Sequence, residues 1–476
     1  MAEEILHPSD PTRRDVLKMG ALVAAAPLAG LVPRASRRVI VAGGGIGGLC
    51  CGYELMRRGH DVIVLEASDR TGGHVYTHRD GLDDGLYVDG GAEHFTKPGY
   101  ERYWQYVEEF QLPYLYYPRR EHLLRWLDGR MHTEQMLRDP AVLQGMGFNA
   151  REVAFLRESP FPELPSLYYK PYADQFADEY KPFDAKLDHL DAITLTDLLK
   201  KEGASPRAIA MYGGRHSALQ NVWYAAILKK RGVPLFPPKV YRLKGGNQRL
   251  PDTFAARLGD RVRLKSPVTK IEHSPTGVRV HCRGENGPVQ HDGDFLVCAM
   301  SAVMLSQIEV SPAWSAEKAY AIHNVPYYFD SRPIFQTKSR FWQKDGISPN
   351  MEFGDRTLYH AWATGDDVET TRGLLVGTCQ GAGSIDAAVK TYRKFYPGKS
   401  EDIERTAIVT WATNPWASAC ERTDYEPGQL RKFWPTLIEP VGRVHFVGAY
   451  ADNLNWGMEA ATRSANRVAE AIHSTT

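Results

Sequence analysis

Cysteine is scarce in this chain: six in 476 residues, at 50, 51, 282, 298, 379 and 420, in no metal-ligand spacing and no dense disulfide pattern. That excludes a structural zinc cluster, any other cysteine-built metal site and a disulfide scaffold. The adjacent Cys50 and Cys51 read as helix packing residues. Long hydrophobic runs are missing too. The Ala/Gly-rich stretch 19–33 is weakly apolar and falls short of the roughly 20 residues a membrane-spanning helix needs. Neither sign of charge dominates. Lys and Arg number 58 against 57 Asp and Glu, and the formal net charge of +1 gives no basic surface for nucleic acid or an anionic membrane. No repeat or low-complexity tract appears in residues 100–235. What is there is an ordinary globular composition, 43% hydrophobic and 24% charged. The length suffices for two intertwined domains with sizeable cores. Tyrosine (24) and tryptophan (10) are plentiful and suit an aromatic-lined pocket.

One stretch, Arg38–Gly73, organises the rest. Val39-Ile40-Val41 reads as a buried strand. It runs into Gly43-x-Gly45-x-x-Gly48, then a helix-patterned segment with Leu49, Leu55 and Met56, then a second strand, Asp61–Leu65, ending on Glu66. Strand, glycine turn, helix, strand and an acid about 20 residues past the glycines make the dinucleotide-binding fingerprint. Gly43 permits the tight turn, Gly45 lets a pyrophosphate approach the backbone, and Gly48 lets helix and strand pack closely. The helix N-terminus offers free N–H groups to phosphate. Glu66 can accept both ribose hydroxyls and would repel a 2′-phosphate. Gly43, Gly45, Ile46, Gly47, Gly48 and Glu66 are therefore candidate cofactor contacts.

Glu66-Ala67-Ser-Asp-Arg70-Thr-Gly72-Gly73-His74 follows at once. An ExxxRxGG run after the second strand resembles the flavin-containing amine oxidase family, which includes monoamine, polyamine and L-amino-acid oxidases. The resemblance covers essentially everything after residue 37 and implies FAD rather than NAD. It adds Ala67, Arg70, Gly72, Gly73 and His74 to the cofactor contacts, although the family usually carries Arg where this chain has His74. The fold it implies is mixed α/β, a Rossmann-like FAD-binding domain with an interleaved helical and sheet substrate domain. On that pattern residues 37–99, 236–314 and 411–476 build the FAD domain, and 100–235, mostly helical, with 315–410 build the substrate domain.

Several site residues follow from the same resemblance. In the family a V-D-x-G-A strand ends beside the flavin ring, which implies Gly91 and Ala92 there. His94 falls where resembling amino-acid oxidases carry an Arg that clamps the substrate carboxylate, and an imidazole cannot form that bidentate fork. The residue matching Val268 pairs its backbone with adenine. Arg332–Trp342 resembles the family strand ending in Phe-Trp, and counting back from Phe341 puts Arg332 where the family has a lysine that holds a water against flavin N5. By alternation Lys338 lies on the same face. Arg443–Ala461 aligns with the pattern G-E-Y-T-A…G-W-I-D. It implies contacts from Gly448, Ala449, Gly457, Met458 and Glu459, with a helix N-terminus aimed at the flavin pyrimidine O2. Trp456 matches the neighbourhood of an aromatic wall over the ring. Cys420 stands before Pro427-Gly428 at the distance seen in monoamine oxidases whose cysteine bonds the flavin, which implies an 8α-cysteinyl FAD. Glu421 stands where the family has a cage tyrosine and, facing the ring, would attract a cationic amine.

At the other end, Arg13-Arg14 precedes the 19–33 stretch, and residues 1–36 resemble a Tat export signal. The expected location is periplasmic or extracellular in a bacterium, with the cleavage site undefined by the sequence. The implied activity is FAD-dependent removal of hydride from an amine, giving an imine, then aldehyde or ketone and ammonia, with H2O2 from O2. The catalytic candidates are Arg332, His94, Glu421 and Trp456. Two other readings stand beside it. One is a desaturase or protoporphyrinogen-oxidase-like dehydrogenase acting on an apolar substrate. The other is a flavin-carrying protein without turnover, for which Arg332 in place of lysine is the main support. The expected partners are a small-molecule substrate, O2, the Tat machinery and a second copy in a homodimer, with no nucleic acid.

Overall fold

The computed structural model describes residues 35–284, 287–419 and 422–475. The twin-arginine extension, Cys420 and Glu421 lie outside the described residues. Residues 37–475 form one unit, and its first elements are those of the fingerprint. Strand β1 (Arg38–Ala42) leads through the glycine turn into helix α1 (Ile46–Arg57), and strand β2 (Asp61–Leu65) returns beside β1. β1 is buried along four of its five residues because helices cover the sheet, which is what an almost continuous β-branched run requires.

The sheet has five strands in the order Val262–Arg263, β2, β1, Phe295–Cys298 and Val444–Phe446, all parallel. Val41 sits between Val64 and Val297 in register. Helix Gly457–Ser474 packs with α1 over this sheet, and Val39, Val41, Leu49, Val64, Val297, Ala465 and Val468 share one core. Fully burying each larger aliphatic side chain there is worth roughly 1.5–3 kcal/mol. The described residues also form two small sheets, of two and three strands, and two larger ones. One has the order 287–293, 278–284, 268–273, 309–311. The other has seven strands, 403–410, 330–337, 373–380, 358–364, 351–355, 124–127 and 130–133.

The segment 100–235 carries the expected helices, among them Glu101–Glu109, Ala150–Glu158 and Ala218–Lys230. It also carries strands. Tyr114–Tyr117 pairs with Val240–Leu243, and the hairpin Leu124–Leu127/Arg130–Thr133 extends the seven-stranded sheet. The hairpin turns on Asp128-Gly129, with φ of +52° and +79°. A two-residue Asp-Gly turn with both φ positive matches the twist of its flanking strands. Strand Asp330–Thr337 ends one residue short of Lys338, whose side chain is exposed, so Arg332 and Lys338 do not share a face of the sheet.

Candidate active site

A cavity of about 820 Å³ runs through the unit and is lined from segments far apart in sequence. Its volume lies in the upper part of the range usual for small-molecule sites, roughly 300–1,000 Å³. One end is built by the glycine turn. Gly43 has φ +119°, and a Cβ on Gly48 would sit 1.9 Å from the Gly43 carbonyl oxygen, so the turn closes only without side chains there. Gly45, Ile46 and Gly47 line the cavity at the start of α1, and no side chain caps that helix. Among the described residues no side chain takes up its first amides. The Glu66 carboxylate faces the same end, pinned by the Gly44 amide (2.6 Å), the Ser68 amide (2.8 Å) and the Ser68 hydroxyl (2.8 Å). Arg70 braces the adjoining turn by donating to Thr71 O (3.1 Å) and Gly73 O (2.9 Å).

The other end centres on Gly90-Gly91-Ala92. Trp411 donates its indole N–H to Gly90 O (2.8 Å), Ala92 donates its amide to His74 O (3.0 Å), and Arg332 donates Nη2–H to Gly91 O (3.0 Å). A Cβ on Gly91 would lie 1.9 Å from His74 O. Arg332 has further partners. It donates to Thr378 Oγ1, which bonds His360 Nε2 (2.8 Å), and its Nη1 is 3.7 Å from Glu93. Burial pushes the Glu93 carboxyl up, but the Arg119 and Arg332 guanidiniums hold it well below the usual carboxylate range. His74 lies edge-on to Trp411 (centroids 4.4 Å apart) and its Nε2 meets Ala417 O at 2.7 Å. Burial pushes its imidazole down to about 4, so the ring is neutral and the N–H faces that carbonyl. Helix Gly457–Ser474 starts at this end with Gly457 and Met458 on the cavity, again without a side-chain cap. Two helix N-termini with no side-chain cap among the described residues thus open on one cavity, which suits a ligand carrying negative charge at two separate places.

Residues 46–473 match the family model described as flavin containing amine oxidoreductase. The chain belongs to that family. It is also similar to L-amino-acid oxidases of Pseudechis australis (23% identity over 457 residues, 90% of this chain and 85% of that protein) and Vipera ammodytes ammodytes (24% over 478 residues, 91% and 93%). Among solved structures it resembles cyclohexylamine oxidase from Brevibacterium oxydans (TM-score 0.75, 22% identity, covering 93% of this chain and 99% of that one). It also resembles wild-type putrescine oxidase bound to putrescine (TM-score 0.72, 20%, 92% and 99%). This amine oxidoreductase is accordingly a flavoenzyme, and its cavity fits FAD. The α1 amides suit a pyrophosphate, Glu66 suits a ribose diol, and the Gly457 helix N-terminus suits an electron-rich ring edge.

Of the residues expected from sequence, Gly43, Gly45, Ile46, Gly47, Glu66, Ala67, Arg70, Gly72, Gly73 and His74 line this cavity. So do Gly91, Ala92, Val268, Arg332, Gly448, Ala449, Gly457 and Met458. Four others sit elsewhere. Gly48 faces the Gly43 carbonyl as a packing position. Glu459 turns away, and its carboxylate accepts the amides of Tyr103 (2.8 Å) and Arg102 (3.1 Å) at the start of helix Glu101–Glu109. His94 lies behind the Gly91 turn against Arg119, whose Nη2 is 3.0 Å from its Nδ1. Burial and that guanidinium drive its imidazole down to about 3. Trp456 stacks on Tyr100 (5.6 Å) and donates its N–H to the Tyr224 hydroxyl, away from the cavity lining.

The sequence reading missed Trp411, Thr378, Asp330 and the buried pair Arg119–Glu93. Asp330 had a signal, since it sits two residues before Arg332 on the same strand. Trp411 directly follows strand Ile403–Thr410 and had none beyond its type.

Proposed function

We propose that this amine oxidoreductase binds FAD in this cavity, adenosine toward Glu66 and Val268 and the ring toward Gly91, Arg332 and Gly457, and oxidises an amine in the remaining space beside the ring. The observation that carries the reading is the pair of helix N-termini without side-chain caps on one cavity, with the braced Gly90–Ala92 turn at the end where the second one starts. When bound, FAD supplies the hydride acceptor, and the chain supplies placement and charge. Trp411 and Arg332 fix the turn from opposite sides through Gly90 O and Gly91 O, so the backbone beside the ring is rigid. The Arg332 guanidinium beside the site of reaction disfavours substrate bound there as ammonium and favours the neutral amine. The imine product hydrolyses to aldehyde or ketone and ammonia, and O2 takes the electrons to give H2O2. The names of the relatives, oxidases of amino acids, cyclohexylamine and putrescine, support an amine as the substrate.

The purified, yellow protein should release H2O2 with at least one member of an amine panel, and that amine should bleach the flavin band without oxygen. Bleaching only by a polyene or porphyrinogen would overturn the reading. Two finer features belong to it. Cys420 carries FAD through an 8α-thioether, supported by its distance from Pro427-Gly428. Acid precipitation should then leave the yellow colour in the pellet, and a colourless pellet refutes the link. Residues 1–36 direct export by a Tat-type route, supported by Arg13-Arg14. Replacing both arginines with lysine should hold the protein in the cytoplasm of a Tat-competent bacterium.

A further inference from the structure

Strand Asp330–Thr337 presents two charged side chains to the cavity, Asp330 and Arg332. They share a face, with α-carbons roughly 7 Å apart, two strand rises. Their situations differ. Arg332 is engaged by Gly91 O, Thr378 Oγ1 and Glu93. Asp330 is half-buried, and among the described residues its carboxylate accepts no hydrogen bond and forms no ion pair. Burial raises its carboxyl above the ordinary aspartate value while Arg332 opposes that shift. An unpaired, partly desolvated carboxylate is costly until a donor arrives. Tyr328 and the partly exposed Trp416 line the same cavity, and aromatic faces favour an ammonium over an anion.

We propose that Asp330 binds a second, non-reacting ammonium of the substrate, so that the enzyme prefers a diamine over a monoamine or an amino acid. This rests on the amine-oxidation reading and narrows it. The reacting nitrogen lies by the Gly91–Arg332 turn, where the guanidinium disfavours a positive charge. The distal nitrogen lies a strand pair-repeat away against Asp330, where a positive charge is favoured. A few carbons separate the two. Asp330 is thus a specificity residue, and Arg332 discriminates in the same direction by charge.

The test compares cadaverine, n-pentylamine and 5-aminovaleric acid on the FAD-loaded enzyme and on Asp330→Asn and Asp330→Glu. For the native enzyme kcat/KM should favour the diamine over the monoamine by at least about 10-fold, with the amino acid poorest. Asp330→Asn should bring the diamine-to-monoamine ratio close to one, through KM, and Asp330→Glu should restore part of it. A native ratio near one, a ratio unmoved by Asp330→Asn, or a preference for the amino acid overturns the proposal while leaving amine oxidation intact. Should none of these three be oxidised, the wider amine panel decides the amine-oxidation reading, and anaerobic calorimetry decides the binding claim. A diamine preference of about 10-fold lost in Asp330→Asn supports it, and equal affinities overturn it.

Discussion

Arg332 is more a brace than a free cation. Its guanidinium ties the Gly91 carbonyl to Thr378, and Thr378 in turn ties it to the neutral His360, whose imidazole burial holds far below its usual range. Replacing Arg332 with Met removes both hydrogen bonds and the charge, so kcat/KM should fall at least about 10-fold, with slower reoxidation of the reduced enzyme by O2 in stopped-flow. Arg332→Lys keeps the charge without the fork and should fall between. Thr378→Val takes the hydroxyl away from His360 Nε2 and from Arg332 Nη1, which among the described residues keeps only its longer contact to Glu93, and should cost about 1–3 kcal/mol in denaturant unfolding. Thr378→Ser should cost far less, because the hydroxyl remains.

Among the elements, the glycine turn and the Gly457 helix grip the cavity from two sides. Gly48→Ala would put a methyl 1.9 Å from a backbone carbonyl, which no rotamer relieves. The protein should purify with little flavin, read as the ratio of visible flavin absorbance to protein absorbance. This unit was legible in sequence because its physics is local: a β-branched run, three glycines at fixed spacing and an acid at the end of the next strand. The strand carrying Arg332 and the closing helix were legible through resemblance. What was not legible depends on long-range packing. Glu459 reads as a cavity residue by position in the first helical turn, yet its carboxylate finds two backbone amides of another helix, 356 and 357 residues away in sequence. Trp456 is drawn off by Tyr224 and Tyr100. The hairpin at Asp128-Gly129 did carry a local signal, and the helical pattern around it masked that signal.

For the whole molecule, buried titrating groups set opposing demands on pH. His74 and His445 are both pushed by burial from 6.5 to about 4, so the folded chain keeps them neutral while the unfolded chain protonates them below about 6.5. Their share of stability is complete above that pH and declines as pH falls toward 4. Glu459 works the other way. Burial lifts its carboxyl from 4.5 to about 8, so the unfolded chain ionises first and stability declines as pH rises between those values. Thermal unfolding across pH should therefore fall off on both sides. His74→Asn should flatten the acid limb and Glu459→Gln the alkaline one.

The strand order of the parallel sheet also dictates when this molecule can be finished during synthesis. The backbone amide of Arg38 bonds the side chain of Asp294, 256 residues downstream, and the strand after Asp294 is the inner neighbour of the first strand. At roughly 5–20 residues per second, the ribosome leaves that first strand half-paired for something like 13 to 50 seconds. The outermost strand and the helix that closes the flavin end come later still. The cavity end formed at Gly457 and Met458 is thus assembled well after the glycine turn that forms the other.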